Sequence, residues 1–215
     1  LSTDPLDPKY LKNMKALQET IEPQWMSDHL CFNGINGHTS HDLLPLPFTK
    51  ESLEHIAPRI QQVQDLLGQA FVIENVSSYF EYNFSEMSEA EFLKELTQKT
   101  GCKLLVDLNN IHVSHHNHGN DPYHYLETLP KEAVAQFHLA GPSDHGGYLV
   151  DTHDAATPDE VWGLYRKALE LYGPISTMVE WDQDIPPLAT LEGELNKAKV
   201  IFKEVFHEKE QTLFK

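Results

Sequence analysis

The sequence predicts an α/β protein in which a parallel sheet is covered by helices on both faces. Five short and almost continuously apolar segments alternate with amphipathic segments, and this alternation is typical of buried parallel strands joined by crossover helices. The chain has 215 residues, of which 40% are hydrophobic, so it can build one core of useful size. We therefore expect a single domain over residues 1–215.

The helices are predicted from apolar residues that recur every three or four positions. Their expected ranges are 8–21, 50–67, 87–100, 157–172 and 188–206, with a short helix near 121–128. Ser88 and Thr157 are the expected N-caps of two of them, Pro158 then takes the first helical position, and Gly101 ends the helix that starts near Ser88.

The strands are predicted from short apolar runs that are bounded by turn residues. Their expected ranges are 25–32, 70–76, 103–109, 133–141 and 175–181. A loop containing Gly34 and Gly37 is expected after the first strand, and residues 44–49 (LPLPFT) are expected to be an extended loop over the sheet. The histidine-rich stretch that follows the third strand is also expected to be a loop.

Charge and cysteine content exclude several classes of protein. With 33 acidic and 16 basic side chains, the net charge is −17, which argues against nucleic acid or an anionic membrane as a partner. No apolar run reaches the roughly 18 residues of a membrane span, and no signal peptide is recognisable at the start. Cys31 and Cys102 lie in apolar stretches, so we expect buried thiols and a reducing, cytoplasmic location.

A potential metal ligand stands at or near the carboxyl end of each predicted strand. These residues are His29, Glu74, Asp107, His138 and Glu180. A single buried carboxylate or imidazole is usually a satisfied polar group of the core, whereas five at matching strand ends indicate one shared site. In an α/β barrel those ends form the rim on which active sites assemble.

Two further stretches add candidates to this site. Asp151 and His153 are two residues apart, so in an extended segment both side chains point the same way, and Asn110 could turn back as a neutral oxygen ligand. Imidazole and carboxylate without a required thiolate suit iron, manganese or catalytic zinc. The candidates outnumber the needs of one ion, which indicates two or three ions bridged by Glu74 or Glu180.

Other polar and aromatic groups allow a second interpretation. A histidine cluster suggests another metal site, although we favour a solvated loop; its members are His112, His115, His116, His118 and His124. The three tryptophans, Trp25, Trp162 and Trp181, are expected in the core, and Trp181 could also line the pocket beside Glu180.

The order of the candidate ligands resembles that of the xylose-isomerase-like TIM barrels, and in particular of the three-metal endonuclease IV branch. A narrower resemblance is to the multinuclear non-haem iron family that includes the methanobactin-synthesis oxygenase. Seven collinear motifs, which extend over essentially the whole chain, carry it: SDHLCF, LPLPFT, ENVSSY, VDLNNIHVSHHNHG, FHLAG, VDTHD and VEWDQDIPP.

This resemblance implies a (β/α)8 TIM barrel with two or three irons, zinc or manganese being alternatives. It implies oxidation by dioxygen of cysteine residues in a ribosomally made peptide, which a separate recognition protein presents. The implied metal ligands are His29, Glu74, Asp107, Asn110, His138, Asp151, His153 and Glu180. Within the DLNN stretch the choice among Asp107, Asn109 and Asn110 stays open, and we take Glu74, Asp151 and His153 as candidate catalytic residues.

One departure from the family is serious. The family has a further metal-binding histidine on a strand just before LSTDPLD, and that strand is absent from this sequence. Five strands preceded by a helix correspond to a barrel without its first three strands, so we expect part of a longer protein. The alternative functions are a divalent-metal hydrolase or isomerase acting on a sugar or phosphodiester, and a non-catalytic barrel fragment.

Overall fold

The structure, a computed structural model, describes residues 1–213, with side chains as far as Phe206. Its helices are α1 (Pro8–Ile21), α2 (Lys50–Leu67), α3 (Glu89–Thr100), α4 (Leu108–His118), α5 (Pro122–Thr128), α6 (Asp159–Tyr172) and α7 (Leu188–Leu213). Its strands are β1 (Ser27–His29), β2 (Cys31–Ile35), β3 (His38–Pro45), β4 (Val72–Glu74), β5 (Lys103–Asp107), β6 (Val134–Leu139), β7 (Ser143–Asp144), β8 (Leu149–Val150) and β9 (Ser176–Val179).

Five parallel strands form the central sheet in the order β1-β4-β5-β6-β9, which confirms the predicted α/β class. All five run in the same direction, so their carboxyl ends lie along one edge. The pairing places His29 opposite Glu74 and Asp107 opposite His138. The backbone register alone therefore places two pairs of candidate ligands next to each other. The absence of three leading strands stays a prediction.

The core lies between the sheet and the helices that cover it. All three residues of β4 are buried, as are four of the five in β5, because a strand covered on both faces must be apolar on both. Helix α6 directs Trp162, Tyr165 and Leu169 into this core. Cys31 and Cys102 are buried as free thiols, as predicted.

The first predicted strand, 25–32, is wrong in its extent. Only Ser27–His29 joins the central sheet, and the chain then forms an antiparallel hairpin from β2 and β3, where a loop was expected. Asn36 (φ 52°) and Gly37 (φ 74°) make its turn, and a two-residue turn of this type favours Asn-Gly because both φ values are positive. Asp4 stabilises the turn by accepting hydrogen bonds from both backbone N–H groups, each 2.9 Å long.

The histidine-rich stretch is a helix and not the predicted loop. The third strand ends at Asp107, two residues earlier than expected, and α4 begins at Leu108. The Asp107 side chain caps this helix, since its Oδ1 accepts a hydrogen bond of 2.8 Å from the Asn110 N–H. The first four residues of α4, Leu108, Asn109, Asn110 and Ile111, are all buried. Unwinding this end of the helix would remove them from the core.

Two helix boundaries also differ from expectation. Helix α6 begins at Asp159 with Pro158 in the N-cap position and no side-chain cap, so the predicted cap at Thr157 is wrong. The Thr157 N–H instead donates to Glu194 Oε2 on α7, at 3.1 Å. Helix α7 continues to Leu213, beyond the predicted end at 206. Among the described residues, no helix combines the length and apolar character that a bilayer crossing requires.

Candidate metal centre

The carboxyl edge of the sheet carries a compact group of imidazoles and carboxylates. Glu74 and Asp107 are the last residues of β4 and β5, and His138 is the penultimate residue of β6. Glu180 follows β9, and its backbone N–H donates to Leu139 O on β6 at 2.8 Å, so its position is fixed as firmly as that of a strand residue. The edge thus presents side chains from neighbouring strands to one point.

His138 lies at the centre of this group. Its Nδ1 is 2.9 Å from Glu180 Oε2, 3.2 Å from Glu74 Oε1 and 3.9 Å from Asp107 Oδ2. One potential ligand atom from each of the four residues lies within 4.8 Å of the other three. Asp107 is fully buried and the side chains of Glu74 and His138 are almost so. This is the spacing and burial of a metal site.

His29 extends the group on the side of β1. Its Nε2 lies 3.4 Å from Glu74 Oε2, the oxygen that does not approach His138, and its Nδ1 lies 3.6 Å from Asp28 Oδ1. The Glu74 carboxylate therefore stands between two imidazoles, with one oxygen near each.

His153 extends the group on the opposite side. Its Nδ1 is 3.5 Å from Glu180 Oε2 and 3.4 Å from Asp182 Oδ2, and these three residues form a second set of ligand atoms within 4.8 Å. Its Nε2 is 2.7 Å from Asp151 Oδ1. His153 has a φ of 48°, a strained conformation for a side-chain-bearing residue, and the Asp182 N–H holds its carbonyl at 2.8 Å.

Several buried polar atoms of this group have no hydrogen-bond partner of regular geometry. They are Asp107 Oδ2, Asn109 Oδ1, Asn110 Oδ1, His138 Nδ1 and both ring nitrogens of His153. Leaving a buried polar atom unpaired costs about 1–3 kcal/mol, and such a concentration at one point requires an explanation. A cation bound among these oxygen and nitrogen donors would satisfy them, so the residues present fit a metal.

The pKa values show an excess of negative charge at the cluster. Burial lowers the pKa of His138, but the carboxylates of Glu180 and Glu74 outweigh burial and raise it to about 10. For His153, burial is likewise outweighed, by Asp151 and Asp107, and the pKa rises to about 9. Burial and the nearby Asp151 raise the pKa of Asp107 to about 7. Metal-free, the cluster therefore holds protons at the positions that a cation would take.

The predicted amide ligands lie at the border of the cluster. Asn109 Nδ2 donates to Asp151 Oδ1 at 2.6 Å, and Asn110 Nδ2 donates to the Asn75 carbonyl at 2.9 Å. Each amide thus uses its nitrogen in a structural contact and leaves its oxygen unpaired. All eight residues predicted as ligands are brought to this edge, and the choice between Asn109 and Asn110 stays open.

Two further residues of the site are not among the predicted ligands. Asp182 approaches His153 from the loop after β9. It is the second acidic residue of the VEWDQD stretch, and this second acidic position so close to Glu180 is the feature of the sequence that indicates it. Asn75 is 2% exposed and bonds to the backbone of Asp107 from the neighbouring strand. The sequence indicates Asn75 only as a polar residue directly after a buried strand. Nothing in the sequence shows which neighbouring strand Asn75 contacts.

The histidine cluster is not part of either group of potential ligands among the described residues. His116 is exposed on α4, and His118 Nε2 lies 2.8 Å from Ser78 Oγ. Of the tryptophans, Trp162 is in the core as predicted. Trp25 and Trp181 are only partly buried, and Trp25 donates to Gln136 Oε1 at 3.0 Å.

Solved structures share this fold at low sequence identity. An L-ribulose 3-epimerase is 14% identical with a TM-score of 0.55, and the match covers 95% of this chain and 69% of that one. D-allulose 3-epimerase from Methylomonas sp. is 13% identical with a TM-score of 0.53, covering 97% and 71%. These neighbours are TIM barrels of the xylose-isomerase-like type, which confirms the predicted fold class.

Sequence comparison gives the family. A UPF0276 protein from Anaeromyxobacter sp. is 49% identical over 197 residues, which are 92% of this chain and 70% of the relative. One from Caulobacter vibrioides is 46% identical over 198 residues, 92% and 71%. The family described as RiPP precursor modification enzyme MbnB/TglH/ChrH, RiPP being a ribosomally made and later modified peptide, matches residues 1–203. The chain therefore belongs to the MbnB/TglH/ChrH family of RiPP precursor modification enzymes.

Proposed function

We propose that the cluster around His138 holds two or three irons and that the protein uses dioxygen to oxidise cysteine residues of a ribosomally made peptide. The observation that carries the metal is the convergence of imidazoles and carboxylates on one point, beside three buried side-chain oxygens that have no hydrogen-bond partner. The peptide substrate is supported by family membership, and a separate protein that presents the peptide is part of the same proposal.

The geometry supports more than one cation. We place three candidate cation positions in a row along the edge of the sheet: between His29 and Glu74, at His138, and beside His153. Glu74 joins the first two, and Glu180 joins the second and third because its Oε2 approaches both His138 and His153. Bridging carboxylates of this kind allow cations to lie close together despite their mutual repulsion.

The ligand chemistry favours iron over a structural zinc site. The donors are imidazole nitrogens and carboxylate oxygens, whereas structural zinc prefers closed shells of Cys and His. Both cysteines are buried outside the two ligand groups. Bound iron supplies a site for the substrate thiolate and electrons for dioxygen.

The chain's own residues then hold and polarise that centre. Glu74 and Glu180 position the cations from the sheet, Asp107 adds a carboxylate from a fully buried place, and Asp151 orients His153 at 2.7 Å. Solvent reaches the cluster at both of its ends, at the half-exposed His29 and at the exposed Asp182.

Anaerobic reconstitution with Fe²⁺ followed by elemental analysis tests the metal assignment, with Zn²⁺ and Mn²⁺ offered in parallel. We expect two or more irons per chain and a marked loss in His138→Ala, because His138 is central to the group. His116→Ala, which removes an exposed histidine of α4, is the matched control and should retain the full content. Binding of zinc alone, or equal loss in both variants, contradicts the proposal.

The reaction is tested on the iron-loaded protein with cysteine-containing peptides and dioxygen. Oxygen consumption together with a mass change confined to peptides that contain cysteine is the expected result. Turnover of free sugars or abasic-site DNA without oxygen would instead support the hydrolase or isomerase alternative. Metal binding without any turnover of these substrates, also when the presenting protein is supplied with the peptide, would support the non-catalytic alternative.

A further inference from the structure

A second cavity lies beside the candidate metal centre, outside the cluster of ligands. It has a volume of about 350 Å³ and is bounded by the segment after β4, the loop before α2, and helices α3, α4 and α5. The segment from residue 75 to 82 has no regular hydrogen-bonded structure. This segment separates the cavity from the metal centre.

Residues of that segment alternate between the two sides as far as Phe80, and Glu81 and Tyr82 then both line the cavity. Those directed to the metal centre are Asn75, Ser77 and Tyr79: the first bonds to the Asp107 backbone, Ser77 Oγ donates to Asp151 Oδ2 at 3.2 Å, and Tyr79 Oη accepts from the Asp151 N–H at 3.1 Å. Those that line the cavity are Val76, Ser78, Phe80 and Tyr82. An occupant of the cavity is thus separated from the metal centre by the thickness of one extended chain.

The cavity combines aromatic walls with negative charge. Phe48, Phe80 and Tyr82 are among its aromatic lining residues. Its basic lining residues are His115 and His124, and no Lys or Arg is among the residues that line it. Three carboxylates are present, but two have structural partners: Glu81 accepts from Asn120 Nδ2 at 3.1 Å, and Asp121 caps α5. Glu89 is the third.

Glu89 is the one of the three carboxyl groups that has a buried oxygen without a hydrogen-bond partner. Its Oε2 accepts a hydrogen bond of 3.0 Å from the Tyr125 hydroxyl, while its Oε1 is buried without a fully formed hydrogen bond. Burial raises the pKa of Glu89 to about 7, against smaller opposing effects of Tyr125 and of the Val76 backbone. A cation placed beside Glu89 would supply the missing partner.

We propose that this cavity binds a lysine or arginine side chain of the peptide that is modified at the metal centre. The proposal rests on the peptide-modifying function proposed above. The cationic head pairs with Glu89, while the aliphatic stem packs against the aromatic walls, which also attract a cation through their ring faces. The cavity then selects peptides that carry a basic residue near the reacting cysteine.

Small amino-acid derivatives test the cavity without any reaction. The Nα-acetyl N-methylamides of lysine, arginine, norleucine and glutamate are titrated into the whole chain by calorimetry at pH 8 in the presence of EDTA. Norleucine has an alkyl stem like that of lysine but no charge. We expect the lysine or arginine derivative to bind at least about tenfold more tightly than the norleucine and glutamate derivatives.

Glu89→Gln removes the charge but keeps an acceptor for Tyr125, and should lower the affinity for the cationic derivative by about tenfold or more. Glu54→Gln, which removes an exposed carboxylate of α2 outside the cavity lining, should leave it unchanged. Circular dichroism verifies that both variants are folded. Equal binding of norleucine, unchanged affinity in Glu89→Gln, or binding of neither cationic derivative overturns the proposal.

The titrations contain no metal, so they are independent of the oxidation chemistry. If the protein binds the lysine derivative through Glu89 but binds no iron, the proposal for the cavity holds and the proposal for the metal centre is wrong. If the protein binds iron and oxidises peptides but does not bind the cationic derivatives, the proposed function holds and the proposal for the cavity is wrong.

Discussion

Asn75 is bonded to the backbone of Asp107 through both ends of its amide. Asn75 Oδ1 accepts from the Asp107 N–H at 2.8 Å, and Asn75 Nδ2 donates to the Asp107 carbonyl at 3.0 Å. The Asn75 carbonyl in turn accepts from Asn110 Nδ2 at 2.9 Å. Asn75, which directly follows β4, therefore positions both the candidate ligand Asp107 at the end of β5 and the helix α4 that follows it.

We expect Asn75→Ala to weaken both folding and metal binding. The substitution leaves two buried backbone groups of Asp107 unpaired, which lowers the free energy of unfolding by about 1–3 kcal/mol for each group. Loss of a group that orients a ligand typically lowers metal affinity by about 10–100-fold. Urea unfolding and iron titration measure the two effects. Asn83→Ala, at an exposed position, should change neither; an iron affinity retained in Asn75→Ala would contradict the positioning role.

Asp107→Asn should separate stability from metal binding. Without metal, burial and the nearby Asp151 raise the pKa of the Asp107 carboxyl, so its ionised form destabilises the fold. Asparagine keeps an oxygen to cap α4 and removes the charge. We expect the metal-free variant to be more stable at pH 8, by on the order of 1–3 kcal/mol, and to bind less iron. Unfolding curves in EDTA and elemental analysis measure this; a less stable metal-free variant would refute it.

Glu89 should make stability depend on pH. Its folded pKa of about 7 lies above the usual 4.5 of a glutamate carboxyl group, so the folded state binds the proton more tightly than the unfolded state. This contribution is fully present below about pH 4.5 and is lost as the pH rises through about 7. We expect Glu89→Gln to reduce the decline in unfolding free energy between pH 5 and pH 8, whereas Glu54→Gln keeps it. An unchanged pH profile in Glu89→Gln would show that the carboxyl titrates normally.

Several features of the fold and site follow from sequence, because parallel strands bring their carboxyl ends to one edge. The proximity of Glu74, Asp107 and His138 could be predicted on that basis. The contact of Asp182 with His153 could not, since it depends on how two loops meet. Helix α4 was missed because Asp107 was interpreted only as a ligand, although the same carboxylate caps the helix.

Gly141 should be needed for the placement of His153. A Cβ at Gly141 would overlap the carbonyl oxygens of Ala155 and Ala156, two and three residues after His153. Gly141→Ala must therefore displace that loop, and overpacking of this kind costs about 1–3 kcal/mol. We expect lower stability and, in the iron-loaded protein, loss of the ion that we propose beside His153, with the ion proposed at His138 retained.

Gly193→Ala is the matched control for this substitution. Gly193 lies within α7 and has open space where a Cβ would stand, so alanine should stabilise the protein by up to about 1 kcal/mol through its higher helix propensity. Thermal unfolding and elemental analysis of Gly141→Ala, Gly193→Ala and His153→Ala are compared. If the backbone contact positions His153, Gly141→Ala and His153→Ala lose the same share of iron while Gly193→Ala loses none. A Gly141→Ala protein with full iron content would show that the loop can shift without disturbing the centre.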